Sequence, residues 1–232
     1  MIRVELQPEP DDFHVKVRIP GQRCIRERTG RVAVGELKRT SGQAFKKTAD
    51  DPEDIKSKDF MPYWREATDQ LMDGYDRICA FSCFYVHRIT GNPTVDHMMP
   101  KSKASDQVYE WNNYRFACGL MNTRKSTCEG LDPFEVEDDW FELDLADFQV
   151  IQGRGCPQWL KDQWVELIEE QFKLNGAEFL TRRREEAEDF WLGDGSERTR
   201  QKFFERSPFL AREIERQGFL AAPPYSISSP LL

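Results

Sequence analysis

Hydrophobic and polar positions follow a different pattern in each of three parts of the chain. Near the N-terminus, β-branched residues alternate with polar ones at Val15, Val17 and Ile19. This alternation predicts a short strand, which ends at Pro20. The basic segment that follows has little periodicity, and we interpret it as either an arm that contacts nucleic acid or a loop. Residues 1–58 are therefore predicted to form an N-terminal strand and a basic segment.

The central part, residues 59–152, is predicted to contain one helix and several short strands. Apolar residues recur at helical spacing over residues 59–78, which predicts a helix with one buried face. Residues 80–86 are aromatic or small, a composition that is typical of a buried strand. Residues 140–145 and 148–151 predict the two strands of an acidic hairpin.

The last part, residues 153–232, has helical periodicity and a tail that contains prolines. Its apolar residues predict three helices. The first begins at Pro157 and ends before Gly176, the second covers residues 177–193, and the third begins at Ser196 and is interrupted at Pro208. Together with the strands, these helices predict an α+β fold with a helical C-terminal part.

Polar residues of several chemical types fall into one short pattern in residues 95–125. Asp96 and His97 end a predicted strand. Residues 114–118 predict a second short strand, and Gly119 opens a polar run that can begin a helix. The pattern predicts the order strand, loop, strand, helix.

This unit can bring three polar side chains together. Asp96, at the end of the first strand, can converge with Asn122, on the first turn of the helix, and His97 is next to both. Two side-chain oxygens suit a hard cation such as Mg²⁺ or Mn²⁺, which keeps several waters and takes phosphate oxygens as further ligands. A neutral His97 can take a proton from a water aimed at phosphorus. These residues outline a phosphodiester hydrolase.

Three short motifs in this order resemble the HNH nuclease family. Asp-His-x-x-Pro-Lys-Ser begins at Asp96, Trp-x-Asn ends at Asn113, and Asn-x-x-Lys runs from Asn122 to Lys125. Over residues 78–127 they resemble the ββα-metal finger in its His-Asn-Asn form. The resemblance implies a finger embedded in a mixed α+β domain, so that the central part would hold the nuclease core.

The resemblance also implies a role for each matching residue. His97 would be the general base, and Asp96 and Asn122 would bind one divalent metal, Mg²⁺ or Mn²⁺, in a one-metal hydrolysis of DNA. Asn113 would hold the backbone of the histidine across the loop. We prefer Asn113 because it precedes Asn122 by nine positions, which suits the family spacing, and Asn112 stays an alternative.

Basic residues in and around the motif are expected to contact the DNA backbone. We count Lys125 with His97 and Asn113 among the catalytic residues. Either Lys125 or Arg124 would steady the phosphate. The expected DNA-binding residues are Lys101, Lys103, Arg115 and Arg124. The alternative is that these basic residues belong to solvated faces of the protein.

Many HNH proteins carry a zinc knuckle of four cysteines around the finger. Here Ser82 and Met121 occupy the positions of the second cysteine in each pair, after Cys79 and Cys118. Two other nearby cysteines have the wrong offsets for the usual tetrahedral spacing. We therefore expect no structural zinc, and the alternative is that the four nearby cysteines regroup around one ion.

Charge is distributed unevenly along the 232 residues, whose formal net charge is -8. Residues 23–47 carry eight basic and two acidic residues, whereas residues 129–147 carry nine acidic residues and no basic one. A negative net charge argues against a polyanionic partner, but this distribution allows the basic segment to face phosphate. We interpret the acidic stretch as a solvated face.

Composition predicts a soluble, cytoplasmic protein without a membrane anchor. The 39% hydrophobic fraction supports a packed core, and six scattered cysteines fit reduced thiols. No membrane-spanning run or signal-peptide pattern is evident.

The chain resembles in size HNH chains that often serve beside an ATPase in bacterial anti-phage systems, and this resemblance implies a defence role with such a partner. The alternatives are a non-catalytic nucleic-acid-binding module and an interaction subunit of a larger complex.

Overall fold

Helices dominate the fold, and two small antiparallel sheets lie among them. The structure is a computed structural model that describes residues 1–31 and 46–225. Within these residues the α-helices are α1 (Ile19–Arg28), α2 (Thr68–Gly74), α3 (Gly119–Lys125), α4 (Gln158–Asp162), α5 (Ala177–Trp191), α6 (Glu197–Arg206) and α7 (Pro208–Arg216). The strands are β1 (Pro93–His97), β2 (Tyr114–Cys118), β3 (Phe141–Leu143) and β4 (Val150–Gln152). The α+β class that the sequence predicts is confirmed.

The N-terminal segment is helical, so the strand predicted around Val17 is wrong. A π-helical turn, His14–Arg18, continues directly into α1. Phe13, Val17 and Cys24 are buried at helical spacing, whereas Val15 is 66% exposed. The alternation of β-branched residues coincides with this helical repeat, and burial follows the repeat that begins at Phe13.

Helix α1 packs closely on the loop that precedes β2. A Cβ atom at Gly21 would overlap the ring of Tyr109, so that only glycine allows this approach. The hydroxyl of Tyr109 donates a hydrogen bond to the carbonyl of Met61 at 2.9 Å. The N-terminal helix is thereby joined to both the loop and the segment before α2.

The basic segment is described only at its two ends. Arg28, Arg31 and Lys47 bind acceptors within the protein. Lys38 and Arg39, which belong to the same predicted segment, lie outside the described residues. These three side chains therefore have partners within the protein.

The stretch between α1 and β1 contains less regular structure than its apolar spacing predicts. The helix predicted over residues 59–78 is a 3-10 turn, Tyr63–Ala67, followed by α2. The strand predicted over residues 80–86 is wrong, because this stretch forms a turn in which Cys83 has a φ of 58°. A left-handed residue at this point interrupts an extended strand.

β1, β2 and α3 have the strand, loop, strand, helix order predicted for residues 95–125. The two strands pair antiparallel, with Asp96 opposite Arg115 and His97 opposite Tyr114. Helix α3 begins directly after β2 and packs back onto both strands. The helix that covers this hairpin therefore belongs to the same short segment of the chain.

A second hairpin, formed by β3 and β4, packs against the C-terminal helices. Its register pairs Phe141 with Gln152 and Leu143 with Val150, within the acidic hairpin that the sequence predicts. The backbone amide of Leu143 donates to the carboxylate of Glu213 in α7 at 3.2 Å. This hairpin is thus held by a helix that is distant in sequence.

The C-terminal helices follow the three predicted segments, with breaks. The first predicted helix is α4 followed by a π-helical turn, Val165–Gln171, and α5 covers most of the second. Helix α6 begins after Ser196, whose hydroxyl oxygen accepts a hydrogen bond from the Thr199 amide at 3.2 Å. Ser207 separates α6 from α7, which begins at Pro208 as the sequence predicts.

One hydrophobic core extends through all parts of the described chain. It contains buried residues from the N-terminal helix, both hairpins and the C-terminal helices, among them Phe13, Phe116, Phe148 and Ile214. The three predicted regions therefore share this core. Within residues 1–31 and 46–225, no helix is both long enough and apolar enough to cross a membrane.

Candidate active site

The site begins with two consecutive residues at the end of β1. Asp96 and His97 point to opposite faces of the hairpin, because side chains alternate along a strand. Asp96 faces α3, where its Oδ2 atom lies 3.3 Å from Nζ of Lys125. His97 faces Trp64 and Tyr114, whose ring centres lie 4.9 Å and 5.2 Å from its own. One strand end thus presents a carboxylate to the helix and an imidazole to an aromatic pocket.

The environment of His97 fixes the state of its ring. Nε2 lies 3.0 Å from the carbonyl oxygen of Val108, and because a carbonyl only accepts, Nε2 must carry the proton. The lone pair is therefore on Nδ1. Burial, followed by the nearby charge of Lys101, lowers the pKa of His97 to about 3. The ring is neutral at physiological pH, as a general base must be before it accepts a proton.

Asp96 is a buried carboxylate with one poorly satisfied oxygen. Its residue is only 2% exposed, and burial raises its pKa to about 6 against the opposing charge of Lys125. Among the described residues, none makes a well-aligned hydrogen bond with Oδ2, although Lys125 lies within ion-pair distance. A buried acceptor without such a partner is costly unless another group completes its environment.

Asn122 lies on α3, one turn before Lys125. Its side-chain nitrogen, Nδ2, donates a weak hydrogen bond of 3.4 Å to the carbonyl of Val95, the residue before Asp96. The amide nitrogen of the side chain is thus directed at β1, and the amide oxygen has no role in this contact. The helix therefore brings Asn122 to the strand end that carries Asp96.

Lys125 is an internal tether, which corrects the expectation that it contacts phosphate. Its side chain is completely buried, and Nζ donates to the carbonyls of His97 at 2.7 Å and Met98 at 3.1 Å. The ion pair with Asp96 is a charge contact beside these two hydrogen bonds. Lys125 therefore holds the backbone after β1 and balances the charge of Asp96.

Asn113 fastens the loop that follows His97. Its Oδ1 atom accepts from the Met99 amide at 2.6 Å, and its Nδ2 atom donates to the carbonyls of Met99 at 3.1 Å and Gln107 at 3.0 Å. Asn113 is 4% exposed, whereas the alternative, Asn112, is exposed. The Asn113 side chain thus holds the backbone of Met99, the second residue after the histidine, and not that of His97 itself.

Arg115 has a different position from the one expected of a DNA-binding residue. Its guanidinium group makes two hydrogen bonds to Asp132, at 2.7 Å and 2.6 Å, and lies 3.5 Å from the centre of the Phe134 ring. The residue is 4% exposed. Because Asp132 and Phe134 enclose the guanidinium group, Arg115 is a buried structural residue, and the expectation that it contacts DNA is corrected.

The other three residues expected to contact DNA differ in how far their charged groups are bound by partners within the protein. Arg124 donates to the carbonyl of Phe172 at 3.1 Å and pairs with Glu178 of α5, so it joins α3 to the C-terminal helices. Lys103 pairs with Glu129 at 2.6 Å but keeps half of its side chain exposed. Lys101 lies on the loop beside the site, and these two lysines are the remaining candidates from that set.

Trp64 belongs to this site, although its apolar spacing predicts only that it lies on a buried helix face. Its ring contacts His97 edge to face, and Nζ of Lys101 lies 4.6 Å from its centre. Trp64 therefore packs against the imidazole and provides the surface on which Lys101 rests. The 3-10 turn that carries Trp64 lies far from the motif in sequence, so local patterns do not reveal this contact.

The residues fit a hard cation better than zinc. The unsatisfied Oδ2 of Asp96 suits an added cation, and α3 brings Asn122, whose side chain also carries an oxygen, to the same strand end. Mg²⁺ commonly takes one or two protein ligands and fills its other positions with water and phosphate oxygens. Within the part of the chain that the structure describes, no group of three or more His, Cys, Asp or Glu residues is arranged to hold a metal.

Fold and site together define an α+β protein in which a short strand, strand, helix unit buries a carboxylate, an imidazole and an ammonium group. The chain matches no protein-family model, no curated protein and no solved structure. The likeness to HNH nucleases therefore depends on the motif residues, and what it implies about activity is a proposal.

Proposed function

We propose that this protein is a metal-dependent HNH endonuclease that hydrolyses DNA phosphodiester bonds. The observation that supports it most is the orientation of His97. A hydrogen bond from Nε2 to the carbonyl of Val108 directs the lone pair to Nδ1. The adjacent residue, Asp96, is a buried carboxylate with an unsatisfied oxygen. Water activation at a phosphate requires a base and a site for a cation, and these two consecutive residues would contribute to one of each.

Each residue has one task in this mechanism. Asp96 and Asn122 would hold Mg²⁺ or Mn²⁺ through their oxygens, and the bound ion supplies charge stabilisation at the phosphate and the leaving O3′. His97 takes a proton from the attacking water at Nδ1. The carbonyl of Val108 then stabilises the imidazolium through the hydrogen bond at Nε2. Lys125 and Asn113 position the loop on either side of the base.

DNA is the substrate class that the remaining charges favour in this proposal. Lys101 and Lys103 lie on the loop after His97, where their side chains can approach a phosphate backbone. An ATPase partner and a role in anti-phage defence stay part of the proposal through the HNH resemblance. Co-purification of a large ATPase with the tagged chain would support that part, and full activity of the isolated chain on plain plasmid would argue against dependence on a partner.

Cleavage of supercoiled plasmid tests the proposal. We expect nicked or linear product with Mg²⁺ or Mn²⁺ and none with EDTA. His97→Ala should reduce the rate by roughly 10²–10⁴-fold, the usual contribution of a general base. His87→Ala is the matched control, because His87 is exposed and near the same hairpin, and it should retain full activity.

Folding must be separated from catalysis, because His97 is buried. His97→Gln keeps an amide that can donate to Val108, and thermal melting and DNA binding should show that both His97 variants are folded. Undiminished cleavage by folded His97 variants, or cleavage that persists in EDTA, would refute the proposal.

A further inference from the structure

Two cysteines from distant parts of the chain meet at the start of α3. Cys79 follows the segment after α2, and Cys118 ends β2 directly before the helix. The amide of Ala80 donates to the carbonyl of Phe116 at 2.9 Å, so the two backbone segments run side by side. This contact places two sulfur atoms in the same small space.

One hydrogen bond joins the two residues. The backbone amide of Cys118 donates to the sulfur of Cys79 at 3.5 Å. A donor directed at a sulfur atom stabilises its thiolate, so this contact favours a thiolate at Cys79.

These contacts distinguish the pair from other cysteines. Burial raises the pKa of Cys79, but the hydrogen bonds from Cys118 and Ser82 outweigh it and bring the pKa to about 6. The same hydrogen bond raises the pKa of Cys118. In contrast, burial alone dominates at Cys83 and raises its pKa. The pair therefore favours a thiolate at Cys79, with the proton on Cys118.

We propose that Cys79 and Cys118 are a redox pair that forms a reversible disulfide with hydrogen peroxide as the oxidant. Cys118 is the partly exposed member, whereas Cys79 has no exposed surface, so peroxide reaches Cys118. This site is independent of the nuclease proposal, because neither cysteine has a role in that mechanism.

The chemistry balances with peroxide as the two-electron oxidant. In the less populated form of the pair, in which Cys79 carries the proton, the Cys118 thiolate attacks one peroxide oxygen, which forms a sulfenic acid and releases hydroxide. The sulfur of Cys79 then attacks the sulfenic sulfur of Cys118. The sulfenic oxygen leaves as water with the proton of the Cys79 thiol, and the released hydroxide takes up a proton to form a second water. In total, two thiols and one peroxide give one disulfide and two waters. A dithiol reductant reverses the reaction.

The crosslink would stabilise the position of α3. It closes a loop of about 40 residues, for which chain entropy predicts a substantial gain in stability. It also joins the first residue before α3 to the segment after α2. We expect the oxidised protein to melt roughly 5–10 °C above the reduced protein.

Mass spectrometry of the full-length chain tests the proposal. After treatment with hydrogen peroxide, the intact protein should weigh two hydrogen atoms less than the reduced protein. Alkylation of the remaining thiols and non-reducing digestion should then yield a peptide that links Cys79 to Cys118. Dithiothreitol should reverse both changes. Cys118→Ser should abolish the crosslink, whereas Cys128→Ser, at another partly exposed cysteine of the same region, should retain it.

The wild-type protein alone can refute the proposal, whatever the variants do. Full alkylation of Cys79 after peroxide treatment, a link from Cys79 to another cysteine, or conversion of Cys118 to sulfinic acid without a crosslink would each overturn it. Cleavage activity is not used as the readout, so failure of this test leaves the nuclease proposal untouched, and the reverse also holds.

Discussion

The two hairpins of the protein have the same backbone architecture but differ in where they place charged side chains. β1 and β2, covered by α3, bury Asp96, His97 and Lys125, and Lys125 contacts both the carboxylate of Asp96 and the backbone carbonyl of His97. β3 and β4, held by α7, place Glu142 at the protein surface, where it pairs with Arg216 at 3.0 Å. Each hairpin has two short antiparallel strands, so the difference lies in their side chains and not in their backbone.

Buried charge exists in both regions, but only one region leaves it incompletely satisfied. In the second hairpin, the buried Glu213 accepts from the Leu143 amide and pairs with Arg216 at 2.7 Å. In the first, Asp96 keeps a raised pKa and His97 a lowered one. Such groups reduce stability, and this difference is typical of a functional site. The comparison therefore supports a structural role for the charges of the second hairpin and makes the first hairpin the candidate functional site.

The largest effect is expected on stability when the buried ion pair of the first hairpin is broken. Lys125→Met leaves the carboxylate of Asp96 buried without its partner, which should lower the free energy of unfolding by about 3–5 kcal/mol. Glu142→Gln in the second hairpin should cost less than about 1 kcal/mol, because its pair is partly exposed. Urea denaturation of both variants measures the difference.

A double variant sharpens this prediction. Adding Asp96→Asn to Lys125→Met removes both charges, so the double variant should be more stable than Lys125→Met alone. Equal losses for Lys125→Met and Glu142→Gln would contradict the contrast between the two hairpins.

The pH dependence of stability should separate Asp96 from His97. The pKa of folded Asp96 is raised to about 6, so the folded state keeps a proton that the unfolded chain loses above about pH 4. The contribution of Asp96 to stability therefore falls by about 3 kcal/mol as pH rises from 4 to 6. His97 acts in the opposite direction. Its pKa is lowered to about 3, so stability is lost as pH falls from about 6.5 towards 3.

Single variants expose each slope between pH 4 and 6. His97→Gln leaves the Asp96 effect alone, and its stability should fall as pH rises. Asp96→Asn leaves the His97 effect alone, and its stability should rise over the same range. Urea denaturation at pH 4, 5 and 6 gives the slopes, and parallel profiles for the two variants would count against the pKa values of this site.

A smaller effect is expected when the loop after His97 is released. Asn113→Ala removes three hydrogen bonds to the backbone of Met99 and Gln107 and should reduce the cleavage rate by roughly 10–100-fold. Asn112→Ala changes an exposed neighbour and should have little effect. Plasmid cleavage by the two variants, measured at equal folded concentration, tests the choice between these residues. A greater loss in Asn112→Ala would reverse their assignment.

The smallest effect is expected on DNA affinity. Lys101→Met removes a cation beside Trp64 and His97, and it should weaken DNA binding by less than about tenfold and lower the salt slope by about 0.9. Lys161→Met, on the exposed surface of α4 beyond the second hairpin, should leave the slope unchanged. Fluorescence anisotropy at several salt concentrations measures both. An unchanged slope for Lys101→Met would remove this lysine from the proposed interface.

Much of the architecture follows from patterns in the sequence. The order of β1, β2 and α3, the second hairpin and the break at Pro208 are all visible in periodicity and in residues that end helices. The strand predicted around Val17 is wrong because β-branched alternation and a helical repeat coexist there, and tertiary packing selected the helix. At Cys83, a positive φ prevents the strand that an aromatic composition favours.

The arrangement of the site was less predictable than its motif. Spacing brings Asn122 to β1, but charge pairing decides that Arg115 and Lys125 turn inwards, and their partners lie elsewhere in the chain or in the backbone. Trp64 reaches His97 through the packing of a distant segment, which local sequence does not encode. Burial also sets the pKa of His97, and burial is a property of the whole fold.

The most direct test of the metal site is anomalous diffraction from crystals soaked in Mn²⁺ at a concentration that supports plasmid cleavage. We predict one anomalous peak about 2.1 Å from both a carboxylate oxygen of Asp96 and the amide oxygen of Asn122. A peak at other residues, or none at Asp96 and Asn122, would contradict the proposed site.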